Sequence, residues 1–339
     1  MPGHDIIVIG ASAGGVEALM KLASELPADL PASIFIILHI PAHSPSLLPE
    51  ILSRSCPLKA VHPSDGEVIE HGWMYVAPPD LHMLLEDQHI HLVRGPRENR
   101  RRPAIDPLFR SAAVAYGARV VGVILTGSLD DGTAGLLAIK RLGGVAIVQD
   151  PREALYPSMP LNALRHVAVD YTLPLSEMAP LIARLASKPI AREGLHSVPE
   201  DMELEVKMAE MNMDAFNGNP AGTPSVFSCP ECGGVLWEIK DGELTRYRCR
   251  VGHAFSTESI MAAQAEQVED ALWAALKTLE ESANLSRNLA QQARERGQDW
   301  LVQRFEQRVR EAEHRAGLIR SALFRNKVQT TMDVVEAQD

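Results

Sequence analysis

Residues 5–19, DIIVIGASAGGVEAL, join an apolar run to a glycine-rich turn and then to a helix-like segment. The turn places Ser12 among Gly10, Gly14 and Gly15. Three interpretations compete: a phosphate-binding loop, a nucleophilic serine held on a sharp turn, or a plain connection from strand to helix. Ser12 occupies the second-glycine position of a dinucleotide fingerprint, which weakens the first interpretation. The spacing Gly-x-Ser-x-Gly matches a nucleophile elbow.

Residues 1–190 are predicted to form one domain, because short apolar runs alternate with helical segments around this stretch. The strand-like runs are DIIVIG, ASIFIILHI, GWMYVAP, RVVGVILTG and GVAIVQD, with a hairpin predicted at HMLLED and HIHLV. The helix-like segments are GGVEALMKLASEL, DPLFRSAAVAY and DDGTAGLLAIKRLG. The alternation predicts an α/β fold, a doubly wound and mostly parallel sheet with helices on both faces. Ligands in such folds gather at the carboxyl ends of the strands.

The rest of the chain has a different character. Residues 191–224 are first acidic and Met-rich and then rich in Gly and Pro, which predicts a linker. A Cys/His unit follows at 225–256. Residues 257–325 carry leucines at helical spacing with few glycines, which predicts an antiparallel helical hairpin. We expect a flexible tail over 326–339.

Composition excludes several classes of function. The formal net charge of -11 argues against a general affinity for nucleic acid or anionic lipid. No apolar run approaches the roughly 18 residues of a membrane span, so we expect no direct membrane insertion. The amino terminus lacks the features of a signal peptide. The 4 cysteines, three of them clustered, fit a reducing compartment, so the predicted location is cytoplasmic.

A nucleophilic Ser12 needs a base and an orienting acid. The next strand, FIILHIP, ends in His39, and His43 four residues later is an alternative that spacing does not exclude. The loop after RVVGVILTG carries Asp130 and Asp131, for which helix capping is the competing interpretation. The order Ser, His, Asp differs from the order Ser, Asp, His of the α/β-hydrolases. We therefore expect a different fold with the same chemistry.

Four residues of the Cys/His unit have the spacing of a zinc site. Cys229 and Cys232 form a C-x-x-C pair, and Cys249 and His253 form a C-x-x-x-H pair. Two tight turns of this kind suit tetrahedral zinc, and four protein ligands leave no open position for catalysis. The spacing predicts a zinc-ribbon-like unit with structural zinc, the alternative being a metal-free knuckle.

Five segments together resemble the catalytic domain of the chemotaxis protein-glutamate methylesterases. They are IGASAGG, HIPAHSP, YVAPPDLHM, NRRRPAIDPLFRSAA and GVILTGSLDDGTAGLLAIKRLGG, and the resemblance covers about residues 4–187. It implies hydrolysis of glutamate γ-methyl esters on the helices of methylated chemoreceptors, with glutamine deamidation in some members and no cofactor for catalysis. It also implies Ser12 as nucleophile, His39 as general base and then acid, and Asp131 rather than Asp130 as orienting acid.

The chain departs from the family pattern near the predicted oxyanion hole. The family often has Thr where Ala13 stands and a Met-Gly pair where Ser128 and Leu129 stand. Backbone N–H groups around Ala13 and Ser128 are nevertheless expected to form the oxyanion hole. The run RGPRENRRRP is either a solvated loop or a clamp for an acidic helix. The resemblance favours Arg100 and Arg102 as the clamp.

The resemblance leaves regulation and substrate open. Family members usually carry a receiver domain before the catalytic domain, and the first strand begins here at about Asp5. We therefore expect either an always accessible site or a separate regulatory protein. Two alternatives to the chemoreceptor methylesterase are an esterase or deamidase on another signalling protein, and a non-catalytic scaffold.

Overall fold

The computed structural model describes residues 3–190, 198–210 and 222–336, the side chains from residue 325 onward excepted. The chain divides into two compact units, Met1–Ile260 and Met261–Asp339. No helix among the described residues is both long enough and apolar enough to cross a membrane.

The first unit begins with the elements of the predicted α/β domain. Its strands are β1 Ile6–Ala11, β2 Ser33–Leu38, β3 Lys59–Val61, β4 Glu67–Val68, β5 Trp73–Val76, β6 His82–Glu86, β7 His89–Val93, β8 Val120–Ile124, β9 Val145–Gln149 and β10 Tyr171–Leu173. Its helices are α1 Gly15–Ser24, α2 Leu48–Ser55, α3 Ile105–Tyr116, α4 Thr133–Arg141, α5 Ser158–His166 and α6 Leu175–Ser187.

The described strands form a 7-stranded sheet in the order β10-β9-β8-β1-β2-β5-β3. Every neighbouring pair in it is parallel. The strands β4, β7 and β6 form a separate antiparallel sheet that contains the predicted hairpin. The prediction of a mostly parallel sheet is therefore confirmed. Because β1 lies between β2 and β8, the loops that follow these three strands meet at one edge of the sheet.

Both faces of the central strand β1 are buried, which explains its unbroken apolar sequence. Ile7 and Ile9 pack into a core with residues of α1 and α6, and Ile6 and Val8 pack into a second core with residues of α3 and α4. A parallel sheet covered by helices on both faces needs apolar side chains at successive positions. The result is a three-layer arrangement with a rigid sheet beneath the loops at its carboxyl edge.

The first unit continues beyond residue 190. It contains the helix α7 Glu200–Ala209 and the strands β11 Thr223–Ser228, β12 Val235–Asp241, β13 Leu244–Cys249 and β14 Ala254–Ser256, which pair in that order as an antiparallel sheet. We call residues 223–256 the ribbon. Its small core is formed by Leu236, Tyr247 and Phe255.

The predicted linker at 191–224 is corrected by α7. Met202, Met208 and Ala209 of this helix are buried, and the carboxylate of Glu205 is buried beside arginines. An acidic sequence therefore forms a packed helix here, because its central carboxylate is neutralised by cations from other elements. Residues 191–197 and 211–221 lie outside the described residues.

Two long helices follow the ribbon, α8 Thr257–Glu295 and α9 Asp299–Glu336. Within the second unit Leu276, Ala316 and Leu323 form the seam between them. The pair Arg287–Glu313 links the two helices at their surface. The helix α9 ends at Glu336 rather than near residue 325, and residues 337–339 lie outside the described part of the chain.

Candidate active site and metal centre

Ser12 lies in the turn between β1 and α1. Its N–H donates to the carbonyl of Thr126 (3.0 Å), and its carbonyl accepts from the N–H of Gly15 (2.9 Å). A Cβ placed on Gly127 would lie 2.8 Å from Cβ of Ser12 and 2.0 Å from the sulfur of Met159. Glycine at position 127 therefore permits the loop after β8 to approach the serine closely.

The imidazole of His39 joins Ser12 to Asp131. Its Nδ1 lies 3.1 Å from Oγ of Ser12, and its Nε2 lies 2.8 Å from Oδ2 of Asp131. The side chains of His39 and Asp131 are each only 4% exposed. A neutral imidazole with its proton on Nε2 donates to Asp131 and presents the Nδ1 lone pair to the serine hydroxyl. This is the arrangement that a general base for a serine nucleophile requires.

The carboxylate of Asp131 accepts several hydrogen bonds. Oδ2 also accepts from the N–H of Ile105 (2.8 Å), and Oδ1 accepts from the side-chain amide of Asn99 (3.0 Å) and the N–H of Asp106 (3.4 Å). The first turn of α3 thus points backbone donors at this carboxylate. Burial alone raises the pKa of Asp131, but the hydrogen bond and charge of His39, with these donors, lower it to about 2. Asp131 is therefore an anion that can stabilise an imidazolium.

Asp130 has different surroundings. Its Oδ1 accepts from the hydroxyl of Ser256 in the ribbon (2.7 Å). Burial, with the nearby charges of Glu258 and Asp131, raises the pKa of Asp130 to about 7. The structure does not support Asp130 as a helix cap, because the N-cap of α4 is Gly132 and no side chain caps this helix.

The comparisons with known proteins follow the boundaries of the first domain. Residues 7–182 match a family model described as CheB methylesterase. The chain belongs to the CheB methylesterase family. We call its first 190 residues the CheB domain.

Relatives and a solved structure agree with this assignment. A protein of Leptospira interrogans, provisionally named protein-glutamate methylesterase/protein-glutamine glutaminase, is 42% identical over 183 residues, which are 54% of this chain and 95% of the relative. A methylesterase/glutaminase of Methanosarcina mazei is 35% identical over 54% of this chain and 52% of its own length. The crystal structure of the Thermotoga maritima CheB methylesterase catalytic domain is matched with a TM-score of 0.52 and 32% identity, over 53% of this chain and 98% of that chain.

The predicted oxyanion donors Ala13 and Ser128 belong to the two loops that meet at Ser12. The hydroxyl of Thr126 lies 3.1 Å from the carbonyl of Ala13 and 3.3 Å from that of Tyr156, so it links these two loops. The N–H of Gly127 donates to the carbonyl of Tyr156 (2.9 Å), so this donor is already engaged. Ser128 is exposed in the CheB domain. The N–H groups of Ala13 and Ser128 stay our predicted oxyanion donors.

The two predicted clamp arginines lie in different situations. Arg102 donates from Nε and Nη2 to Asp80 (2.9 and 2.6 Å) and from Nη1 to the carbonyl of Gly95 (2.7 Å). Its guanidinium is therefore engaged with groups of the CheB domain, and the clamp role of Arg102 stays a prediction. Arg100 is half-buried with φ 66, and its clamp role stays a prediction. His43, the alternative base, is exposed.

The four predicted metal ligands lie together in the ribbon. The ligand atoms of Cys229, Cys232, Cys249 and His253 all lie within 4.8 Å of one another. The sulfurs of Cys232 and Cys249 are 3.7 Å apart, and His253 Nδ1 is 3.6 Å from the Cys249 sulfur and 3.8 Å from the Cys229 sulfur. Zinc bonds of ordinary length to sulfur and nitrogen give tetrahedral edges of about 3.8 and about 3.6 Å. The side chains therefore fit a closed tetrahedral zinc site.

Sequence reasoning missed Asn99 and the buried charges around it. Asn99 binds Asp131 of the CheB domain, and its Oδ1 accepts from the N–H of Ser256, which is 157 residues away in the chain. Glu98 and Glu205 are buried beside Arg248 of the ribbon. No motif or periodicity connects residues so distant in sequence, so only the docked ribbon reveals these contacts.

Proposed function

We propose that this chain is a protein-glutamate methylesterase that hydrolyses glutamate γ-methyl esters on methylated chemoreceptors and releases methanol, and that it also deamidates glutamine side chains. The observation that carries the proposal is the series of contacts from Ser12 through His39 to Asp131, at 3.1 and 2.8 Å. The names of the relatives in Leptospira interrogans and Methanosarcina mazei support the substrate class.

The geometry supports a two-step acyl transfer. Nδ1 of His39 takes the hydroxyl proton as Oγ of Ser12 attacks the γ-carbonyl carbon of the ester. The carboxylate of Asp131 stabilises the imidazolium that results. This imidazolium then protonates the methoxy oxygen as its bond to the carbonyl carbon breaks, and methanol leaves. A water molecule, deprotonated by His39, hydrolyses the glutamyl-serine ester and regenerates the hydroxyl. With glutamine the leaving group is ammonia, and the second step is the same.

An exposed apolar surface beside the serine supports a protein substrate. Leu155 is 69% exposed and Tyr156 44% exposed. A Cβ placed on Gly14 would lie 3.1 Å from Cβ of Leu155, so this side chain borders the turn that carries Ser12. A receptor helix offers an apolar stripe that suits such a surface. In the first step Ala13 and Ser128 donate to the oxyanion, and Arg100 contacts acidic groups of the receptor.

We also propose structural zinc in the ribbon, held by Cys229, Cys232, Cys249 and His253. The zinc would crosslink the two turns of a small unit whose apolar core is limited. Four protein ligands leave the ion no place for substrate, so catalysis needs neither this metal nor another cofactor. None of the four cysteines forms a disulfide bond. Cysteines that are not oxidised fit the cytoplasm as the proposed location.

The test is methanol release from receptor that carries labelled methyl groups. Ser12→Ala is expected to abolish release and labelling by a fluorophosphonate probe, with the thermal unfolding temperature unchanged. Ser24→Ala is the matched control, because Ser24 lies at the far end of α1 and its hydroxyl donates only to the carbonyl of Lys21 among the described contacts. Release by Ser12→Ala at the wild-type rate would refute the proposal, and an inert, unlabelled wild-type protein would favour a scaffold.

A further inference from the structure

We propose that Asn99 is a positioning residue for the catalytic aspartate, and that the ribbon holds Asn99 in its working orientation. The inference rests on the proposed function of the triad. It gives the ribbon a part in catalysis although no ribbon residue touches Ser12 or His39 in the described contacts.

The side-chain amide of Asn99 lies between the catalytic centre and the ribbon. Its Nδ2 donates to Oδ1 of Asp131 and to Oδ2 of Asp106, both at 3.0 Å. Its Oδ1 accepts from the N–H of Ser256 (3.0 Å) and from the hydroxyl of Ser259 (3.1 Å). The carboxyl oxygens of Asp131 and Asp106 lie on one side and the donors of Ser256 and Ser259 on the other, so only one orientation of the amide satisfies all four contacts.

The backbone of the same loop pairs with the last ribbon strand. The N–H of Asn99 donates to the carbonyl of Ala254 (2.8 Å), and the N–H of Ala254 donates to the carbonyl of Arg97 (3.3 Å). Asn99 has φ 48, a left-handed conformation that asparagine tolerates better than most residues. The ribbon strand β14 therefore fixes the backbone as well as the side chain of Asn99.

A buried network of charges fixes the ribbon on the CheB domain. Arg248 of β13 donates to Glu98 (2.9 Å) and to Glu205 of α7 (3.1 Å). Arg110 of α3 donates to Glu98 (2.8 Å) and also contacts Glu205. Arg246 of β13 completes the network with two bonds to Glu205 (2.8 and 2.7 Å). Without Arg246 and Arg248 of the ribbon, the buried carboxylates of Glu98 and Glu205 would share the cation of Arg110, so the network ties the position of the ribbon to these two buried charges.

The junction between β14 and α8 also contacts the loop that carries Asp131. The hydroxyl of Ser256 donates to Asp130 (2.7 Å). The side-chain amide of Asn162 donates both to Glu258 (2.7 Å) and to the carbonyl of Leu129 (3.0 Å). The junction thus supports the residues on the amino-terminal side of Asp131 while Asn99 supports its carboxylate.

Loss of the Asn99 amide is expected to slow the chemical step rather than to weaken receptor binding. Asp131 would lose the donor at Oδ1 that fixes the orientation of its carboxylate, so the carboxylate would orient the imidazole of His39 less precisely. If the full strength of a hydrogen bond to a charged group is lost in the transition state, the rate falls by about 10-fold or more. The exposed surface at Leu155 and Tyr156, which is proposed to contact the receptor, is not altered, so KM should stay constant.

The experiment uses the full chain and the variants Asn99→Ala and Ser259→Ala. Asn99→Ala should lower kcat about 10-fold or more. Ser259→Ala removes a neutral hydroxyl that lies 3.1 Å from both Oδ1 of Asn99 and the carbonyl of Ser256, and it should lower kcat about 2- to 10-fold. Both should lower the rate of fluorophosphonate labelling of Ser12 and shift the downfield proton signal of the His39 Nε2–H. Ser225→Ala is the matched control, because its hydroxyl donates to Leu236 within the ribbon and the described contacts of that hydroxyl all lie in residues 225–236.

The readouts separate this inference from the proposed function. A wild-type protein that releases no methanol refutes the methylesterase assignment, while the labelling rate and the proton signal still test the positioning of His39. Wild-type kcat, labelling and proton signal in both variants would overturn the inference. If Asn99→Ala lowers the unfolding temperature, the result for Ser259→Ala decides whether the inference holds. The Ser259 hydroxyl contacts only neutral groups among the described hydrogen bonds, so its loss leaves no buried charge without a partner. A rise in KM at constant kcat would also overturn it.

Discussion

Substitution of Asp130 should make the protein more stable relative to the wild type as the pH rises. Asp130 is 7% exposed, and burial raises its pKa to about 7 from an unfolded value of about 3.8. The folded state therefore keeps a proton that the unfolded state loses, and the stability that this proton contributes is present below about pH 4 and lost as the pH rises to about 7. Each pH unit in that window costs about 1.4 kcal/mol.

Asp130→Asn removes this titration and keeps an oxygen that accepts from Ser256. Between pH 5 and pH 8 the free energy of unfolding of the variant should rise relative to that of the wild type by about 3 kcal/mol. Urea unfolding of both proteins at pH 5 and pH 8 gives the difference between their free energies of unfolding. Groups that titrate in both proteins contribute equally and cancel in this difference. Asp29→Asn, at an exposed aspartate, is the control and should show no such pH dependence. If the variant and the wild type differ in free energy of unfolding by the same amount at both pH values, the reasoning is refuted.

Two further predictions concern the triad and the metal. Asp131→Asn should lower kcat about 10⁴-fold. The new amide would donate to Nε2 of His39 and so favour the tautomer with its proton on Nδ1, which cannot accept the proton of Ser12. A loss of less than 10-fold at saturating receptor would contradict the triad. The purified protein should contain about one zinc ion per chain, and Cys232→Ser should lower both the zinc content and the unfolding temperature; zinc-free protein with an unchanged unfolding temperature would contradict the site.

The sequence predicts that Ser12 and His39 lie close together, because both follow strands that are adjacent in a parallel sheet. The alternation of elements predicts a parallel sheet, in which strands consecutive in sequence are usually neighbours, so the residues after β1 and β2 are expected to meet. The choice between Asp130 and Asp131 needs either the family resemblance or the geometry, since both follow β8 at almost the same place. Spacing carries no information on which carboxylate turns toward the imidazole.

The sequence does not predict which charged residues are buried, or which partners they have, where separate segments of the chain pack together. Glu205 belongs to an acidic stretch that is typical of a solvated linker, yet it is buried because Arg110, Arg246 and Arg248 neutralise it. Arg102 belongs to an arginine-rich run that suggests a substrate clamp, yet Asp80 and Gly95 engage its guanidinium. In each case the role of the charge depends on partners supplied by tertiary structure.

The neighbouring carboxylates Asp130 and Asp131 show how the ribbon enters the electrostatics of the site. Burial raises the pKa of both, but Asp131 receives the hydrogen bonds of His39, α3 and Asn99, which lower its pKa to about 2, whereas Asp130 receives the hydroxyl of Ser256 and keeps a pKa of about 7. Near neutral pH the loop therefore concentrates its negative charge on the carboxylate that faces the imidazole. Ser256 also donates its N–H to Asn99. One ribbon residue therefore contacts Asp130 directly and Asp131 through Asn99. A CheB domain without the ribbon would need other groups to hold Asn99 and to cover Asp130.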